Sequence, residues 1–388
     1  MRRVYLDHSA TSPALPEVVA AVREVLEKVH GNPASLHGMG LEAERVLEDA
    51  RQAVAEALGA EPSEVVFTSG GTEANNLAVF GAAWARQKPH VVVSAFEHSS
   101  VLEPARRLRE LGVPVDFCPV DAEGFLRVDV LAELVRPNTA LVSVVLVNNE
   151  VGTLQPLLEV AKVLDEAESR WGRRPLLHTD AVQALGHVPF RVRHLRADLV
   201  TVSAHKLGGP KGTGALYVRQ GVRLQPFILG GDQERGLRGG TPNLPGAAGF
   251  AAAARFWQRE GERLRAHLRA LAAQLRAGLA DLAGLRWNTP PEAERTAPHI
   301  LNLSVPGLRG EVLVHRLEQE GVYVSTGSAC HSRRAEPSHV LLAMGRSEEE
   351  ATSAVRVSLG PFTTEEEVRY AVEAFRSALA DLRFLVPS

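Results

Sequence analysis

Only two cysteines, Cys118 and Cys330, occur in 388 residues. So few exclude a disulfide framework or a four-cysteine metal site, and reduced thiols are expected. Aromatic residues are sparse at 5%. No apolar run approaches the ~20 residues of a membrane-spanning helix. Neither sign of charge dominates, and the formal net charge of −3 gives no bulk attraction to nucleic acid or anionic membrane. Met1-Arg-Arg leads into the polar Asp7-His-Ser9 with no hydrophobic signal core between, so a cytoplasmic location is expected. Lysine is scarce as well: Lys28, Lys88, Lys162, Lys206 and Lys211 are the only ones among 43 basic residues.

That scarcity makes Lys206 informative. It sits in Ser203-Ala-His-Lys-Leu-Gly-Gly-Pro-Lys-Gly212, just after the apolar run Asp198–Val202. A lysine at the end of a buried strand, followed by a glycine turn, is costly to place without a purpose. A partly desolvated lysine amine is nucleophilic and forms Schiff bases with carbonyl compounds. Pyridoxal 5'-phosphate (PLP) is the aldehyde cofactor that most often uses this chemistry. A surface turn lysine is the bland alternative.

Strand and helix patterns alternate through about the first 220 residues. Segments 17–30 and 42–58 read as amphipathic helices. Strands are expected at 65–68, 91–94, 113–118, 140–147, 176–178, 199–202 and 215–218. Several are continuous apolar runs, as in a mostly parallel sheet covered on both faces. A long helical segment covers 244–282, and we place a lobe boundary within it near 255. Beyond it the pattern reads strand 300–305, helix 311–320, strand 322–325, helix 338–344, strand 354–359 and helix 364–385, which suits a small α/β lobe.

Five constellations carry candidate chemistry. Thr68-Ser-Gly-Gly-Thr-Glu73 joins a strand to a helix, where backbone N–H groups make an anion site and Thr72 adds a hydroxyl. It has neither the Walker nor the dinucleotide spacing. Asp180 in His178-Thr-Asp-Ala-Val-Gln183 follows a buried strand, where a carboxylate needs a partner such as a protonated pyridine nitrogen; a helix N-cap explains it equally. Gln183 is placed to donate to the phenolic oxygen of the same ring. His98, after the strand 91–94, suits ring stacking and proton shuttling, or simply a capped loop. Asn148-Asn-Glu150 likewise collects polar residues at a strand end, where ligands bind in open α/β sheets. Cys330 lies between small residues and the basic His331-Ser-Arg-Arg334, which favours the thiolate. Cys118 reads as a buried strand thiol. Arg356, inside the apolar strand 354–359, wants an anion, either a substrate carboxylate or a structural carboxylate partner.

Taken together, Glu97-His98, Asn148-Asn-Glu150, Ser203-Ala-His-Lys206, Gln233-Glu-Arg-Gly-Leu-Arg238 and Gly327-Ser-Ala-Cys330 resemble the cysteine desulfurases of the NifS/IscS type. These are fold-type I, class V aminotransferase-like PLP enzymes. The likeness runs from Tyr5–Thr11 and Gly31–Ser35 to Arg356-Val-Ser-Leu-Gly360. It implies a large PLP-binding domain (13–255) with a mostly parallel seven-stranded sheet, and a small α/β domain (1–12 and 256–388) carrying the catalytic-cysteine loop. Lys206 would form the Schiff base. Asp180 would pair with the pyridine nitrogen, Gln183 with the phenolic oxygen, and His98 would stack on the ring. Gly71, Thr72, Ser203 and His205 would hold the phosphate, helped by Thr241 from the second subunit of a homodimer. Asn149 and Arg356 would position the carboxylate of L-cysteine. Cys330 would take the sulfur as a persulfide, leaving L-alanine, and pass it to a protein acceptor such as an Fe–S scaffold or a thiolation enzyme.

Some features depart from that pattern. Gly71 stands where alanine is common, and Arg333-Arg334 make the cysteine loop unusually basic. The sequence stops at Ser388, where IscS-type members continue into a tail that helps dock the scaffold, so a NifS-like or general sulfur donor is also expected. A selenocysteine lyase or another PLP-dependent C–S lyase is the alternative enzyme reading. Cys330 speaks against a plain eliminase, which needs no protein thiol. A non-enzymatic sulfur carrier that kept the fold would have little use for Lys206, Asp180 and His98 together. No dedicated metal site is expected, and no nucleic-acid or membrane partner.

Overall fold

The computed structural model describes residues 2–327 and 337–382. Seven strands form the main sheet, in the order Val65–Thr68, Gly214–Val218, Leu199–Ser203, Leu176–Asp180, Thr139–Ser143, His90–Ser94, Val115–Cys118. All neighbours pair in parallel except Gly214–Val218, which runs antiparallel to both of its partners. The apolar runs explain this layout. Val91, Val92 and Val93, like Leu141, Val142, Leu199 and Val200, are wholly buried because helices cover both faces. The expected strands thus appear with ends moved by a few residues.

The largest shift is at 140–147, where the strand stops at Ser143. The physical reason is a change of partner. The neighbouring strand His90–Ser94 has ended by then, and the buried Glu97 carboxylate accepts from the N–H of Val145 at 2.5 Å. On the other side Val144 and Leu146 still donate to the carbonyls of His178 and Asp180.

The helix Gly38–Leu58 buries Ala43, Leu47, Ala50, Val54 and Leu58, a repeat close to 3.6 residues, and ends on Gly59 in the left-handed region. The helix Leu244–Leu279 is 36 residues long, about 54 Å at 1.5 Å per residue. Its first part packs on the helices Pro16–Lys28 and Gly38–Leu58, and it also meets the helix Glu365–Leu382. Leu264, Leu268, Leu271, Leu275 and Leu279 form its buried stripe.

A second, antiparallel sheet has the order Ala354–Ser358, Ile300–Ser304, Arg286–Trp287. The expected strand at 322–325 is shorter, Val322–Tyr323, with a single further bridge from Ser325 to Arg356. Val4–Tyr5 pairs with it in parallel, and Asp7 bridges to Ser358. The N-terminal segment therefore runs from the small sheets toward the C-terminal ends of the main sheet.

Candidate active site

Three strands of the main sheet deliver their chemistry at the same end. Leu176–Asp180 ends on Asp180, Leu199–Ser203 ends on Ser203 and leads into the short 3-10 turn Ala204–Leu207, and Val65–Thr68 feeds the helix Gly71–Trp84. Ligands collect at such strand ends in open α/β sheets. A cavity of about 330 Å³ lies there. Gly71, Thr72, His98, Asn149, Asp180, Gln183, Ser203, His205, Lys206 and Arg356 all line it. A larger cavity of about 800 Å³ lies elsewhere, beside Phe190, His194 and Trp257, and shares none of these residues.

Asp180 is buried and accepts at both oxygens: Oδ1 from the N–H of Val182 at 2.9 Å, Oδ2 from Asn75 Nδ2 at 2.7 Å. The Val182 bond closes a local turn and not the helix N-cap of the alternative reading, since the next helix begins only at Val192. Asn75 was not anticipated, although it lies three residues beyond Thr72 on the same helix face. Its Nδ2 also donates to Ser100 Oγ at 2.8 Å, and Ser100 Oγ lies 2.7 Å from His98 Nδ1. The chain Asp180–Asn75–Ser100–His98 is thus continuous. His98 Nδ1 further accepts the N–H of Ser100 at 3.1 Å, so the histidine caps the helix Ser99–Glu110 and also faces the cavity. Because Nδ1 accepts, the neutral ring carries its proton on Nε2. Burial holds the His98 pKa below the ordinary value; Asp180 opposes this, while Lys206, His339 and Arg356 add to it.

Lys206 Nζ donates to the carbonyls of Ser9 (2.5 Å) and Ala10 (2.7 Å), two residues that sequence reasoning had not placed in the site. The signal was present as the polar segment Asp7–Ser9 and in the Tyr5–Thr11 stretch that carries the family resemblance. Arg356 is buried; Nη1 donates to the Asn149 carbonyl and Nη2 to Asp7 Oδ1, both at 2.9 Å, while Nε has no partner among the described residues. The carboxylate partner foreseen as an alternative is therefore real, and it leaves donor capacity unused.

On the opposite side, Gly70 has φ 154°, a conformation suited to glycine, and opens the helix Gly71–Trp84 with its N–H groups toward the cavity end. A Cβ on Gly71 would stand 2.9 Å from Val182 Cγ2, so glycine here matches the valine opposite. Ser203 Oγ is buried without a hydrogen-bond partner among the described residues. His205 Nδ1 lies 3.2 Å from Thr11 Oγ1, and its pKa is pushed down to about 4 by burial together with Lys206 and Lys211.

These observations fit PLP. An orphaned buried hydroxyl and a helix N-terminus suit a phosphate. A carboxylate with lone pairs to spare suits a protonated ring nitrogen, and a lysine faces the same volume. Thr241 is exposed and does not line the cavity of its own chain. Cys330 and the basic Arg333-Arg334 lie outside the described residues, although Gly327, three positions before Cys330, lines the cavity. Cys118 is buried, and burial pushes its thiol up to about 12, so it is inert at neutral pH as expected.

Comparison with known proteins agrees with this geometry. The chain is 40% identical to the cysteine desulfurase IscS of Dictyoglomus turgidum over 392 positions, covering 100% of this chain and 97% of that one. It is 39% identical to cysteine desulfurase IscS 1 of Archaeoglobus fulgidus, covering 99% and 98%. A solved NifS-like protein superposes with a TM-score of 0.91 at 39% identity, over 98% of this chain and 100% of the other. The aminotransferase class-V family matches residues 4–370. With the fold, the strand-end cavity and the lysine in place, the chain belongs to the class-V aminotransferases, a family of PLP-dependent enzymes.

Proposed function

We propose that this protein is a PLP-dependent cysteine desulfurase that converts L-cysteine to L-alanine and takes the sulfur on Cys330. One observation carries the reading: Lys206, Asp180, His98, Asn149 and Arg356 surround a single cavity of about 330 Å³, with Gly327 at its wall. The identity of about 40% to cysteine desulfurases along the whole chain supports it.

When bound, PLP supplies an aldehyde for Lys206 and an electron sink for the charge that develops at the substrate α-carbon. Thr72, Ser203, His205 and the N–H groups at Gly71 would hold the phosphate, with Thr241 of a second subunit. Asp180 would keep a proton on the ring nitrogen, Gln183 would donate to the phenolic oxygen, and His98 would stack on the ring. Arg356 and Asn149 orient the substrate carboxylate. Lys206, as a neutral amine, would remove the substrate α-proton. The Cys330 thiolate attacks the substrate sulfur, so an S–S bond forms as the Cβ–S bond breaks. The bonding electrons of Cβ–S remain with the carbon fragment, which is protonated and leaves as L-alanine. His98 is placed to move protons between the thiols.

The same reading covers the surroundings. Residues 13–255 form the PLP-binding lobe, and 1–12 with 256–388 the lobe that carries Cys330. The exposed Leu36, Met39, Phe227 and Leu229 support self-association into a homodimer, placed in the cytoplasm on this reading. The persulfide goes to a protein acceptor, an Fe–S scaffold or a thiolation enzyme. Among the described residues no helix is long and apolar enough to cross a membrane.

The test is L-alanine release from L-cysteine, with dithiothreitol, by PLP-loaded wild type and Cys330→Ala. Alanine from the wild type only, with both proteins binding PLP, is the expected result. PLP binding without alanine from either protein would sink the substrate assignment.

A further inference from the structure

Behind Gln183 lies a buried pair of imidazoles that the reaction as described does not use. His299 Nε2 is 3.4 Å from Gln183 Oε1, and the rings of His299 and His187 stack with centroids 3.8 Å apart at 20°. Both histidines are buried, as is Gln183. His187 Nδ1 lies 3.1 Å from the Leu185 carbonyl, and its ring centroid is 4.7 Å from that of Trp257, tilted by 50°. Trp257 Nε1 donates to the carbonyl of Leu207, the neighbour of Lys206. The stack thus spans from Gln183 to the residue after Lys206. Gly186 makes room for it: φ is +79°, and a Cβ there would stand 2.7 Å from Trp257 Cδ2.

Hydrogen-bond polarity gives this stack a task. The Ser9 carbonyl can only accept, so Gln183 turns its Nε2 that way, at 2.9 Å. Oε1 then faces His299, and only an Nε2–H can meet it; an Nε2 lone pair would oppose the carbonyl oxygen and leave a buried N–H on Nδ1, which has no partner. The contact is long, so it works by selecting an orientation more than by strength. With Oε1 turned toward His299 and one N–H on Ser9, the second N–H of Gln183 is left for the cavity.

We propose that His299, clamped by His187, is a positioning residue that fixes the Gln183 amide with its remaining N–H directed at the phenolic oxygen of PLP. This rests on the reading of the cavity given above. Burial, with the nearby His187, His8, Arg356 and Lys206, disfavours a charged His299 and keeps the ring in the neutral form the arrangement needs.

The readout is the pH midpoint of the visible absorbance change of the PLP-loaded protein. A donor to the phenolate oxygen draws off negative charge that would otherwise favour a proton on the nitrogen joining Lys206 to PLP. Losing that donor raises the midpoint. Gln183→Leu should raise it by roughly one pH unit, the scale of one hydrogen bond to a charged group. His299→Phe, which keeps a ring but no N–H, should raise it by a smaller amount; His299→Gln, which restores an N–H, should return part of the shift. In the Gln183→Leu background, His299→Phe should add nothing. A His299→Phe shift that persists undiminished in that background overturns the positioning role, as does no shift in His299→Phe when Gln183→Leu shifts. No shift in Gln183→Leu itself overturns the placement of Gln183 against PLP, and the proposal with it. Imidazole nitrogen NMR of the wild type tests the same point without a variant. A neutral Nε2–H tautomer of His299 at pH 7 is expected; an Nδ1–H tautomer or an imidazolium overturns the proposal.

Discussion

Two buried arginines hold different regions of this protein in different ways. Arg51, on the helix Gly38–Leu58, spends every nitrogen. Nε donates to Glu48, Nη1 to the Val65 carbonyl and Glu234, and Nη2 to Glu234. Glu234 also accepts from the N–H of Phe67, and it keeps φ at 46° in the left-handed region while Arg235 beside it has φ 57°. Arg356 is as deeply buried, but among the described residues its side chain makes two bonds, to the Asn149 carbonyl and Asp7, and its Nε has no partner. Arg51 ties a strained segment to the sheet. Arg356 faces a cavity with capacity to spare. Burial alone does not mark a functional charge; what separates the two is whether the protein itself has saturated the group.

If that contrast is right, the largest effect on stability belongs to Arg51. Arg51→Ala leaves the Glu234 carboxylate buried and unpaired, which costs about 3–5 kcal/mol. Urea unfolding of the PLP-loaded protein measures it. A loss below about 1 kcal/mol would mean that Glu234 finds water or another cation, and the tie would be no tie.

Arg356→Lys should divide the other way. The lysine keeps a charge but loses the two parallel donors that suit a carboxylate. A loss of about 1.5–3 kcal/mol lowers kcat/KM for L-cysteine roughly 10- to 150-fold. The urea midpoint should move less than for Arg51→Ala, since Asp7 is partly exposed and can be solvated. Steady-state kinetics with unchanged kcat/KM would make Arg356 a second structural tie and erase the contrast.

Asn75 sharpens the comparison on the sheet side. It is wholly buried and serves both Asp180 and Ser100. Asn75→Ala withdraws one donor from Asp180 and cuts the path to His98. A cost near 1.5 kcal/mol, roughly tenfold in the dissociation constant for PLP, is expected from a fluorescence titration. Unchanged affinity would show that PLP binding does not depend on this neighbour.

Much of this was legible in the sequence, for local reasons. Buried strands announce themselves as apolar runs, and Asp180 and Lys206 stand out as polar groups at strand ends, whereas the phosphate role of Ser203 and His205 is legible only through the family resemblance. Arg356 stood out for the opposite reason, as a charge within an apolar strand, but its saturation could not be read. The Ser9 and Ala10 carbonyls, the Asn75 relay and the His187–His299 stack were not legible, because each depends on contacts between segments tens to hundreds of positions apart. The end of the strand at Ser143 was missed for the same reason. Glu97, far away in sequence, is what takes the N–H of Val145.

The contrast also holds within one strand. His178 and Asp180 are two residues apart and so share a face of Leu176–Asp180. His178 is saturated: Ser143 Oγ stands 2.8 Å from Nδ1 and Thr201 Oγ1 3.1 Å from Nε2. Asp180 instead lines the cavity. Burial depresses the His178 pKa to about 3. In the unfolded chain it returns to about 6.5. Between these values the unfolded state binds a proton that the native state does not, so stability rises with pH across that window. The contribution is fully present above about pH 6.5 and is lost as pH falls toward 3. One such group contributes at most about 1.4 kcal/mol per pH unit. His178→Gln, still able to bond both hydroxyls, should therefore flatten the pH dependence of urea-unfolding stability between pH 6 and 4.5 by roughly that slope, while leaving kcat/KM for L-cysteine near the wild-type value. An unchanged slope would mean that water reaches His178 and protonates it in the folded protein. A large loss of kcat/KM at unchanged slope would mean that the saturated residue of this strand serves the reaction as well, and saturation would no longer distinguish structural from functional groups.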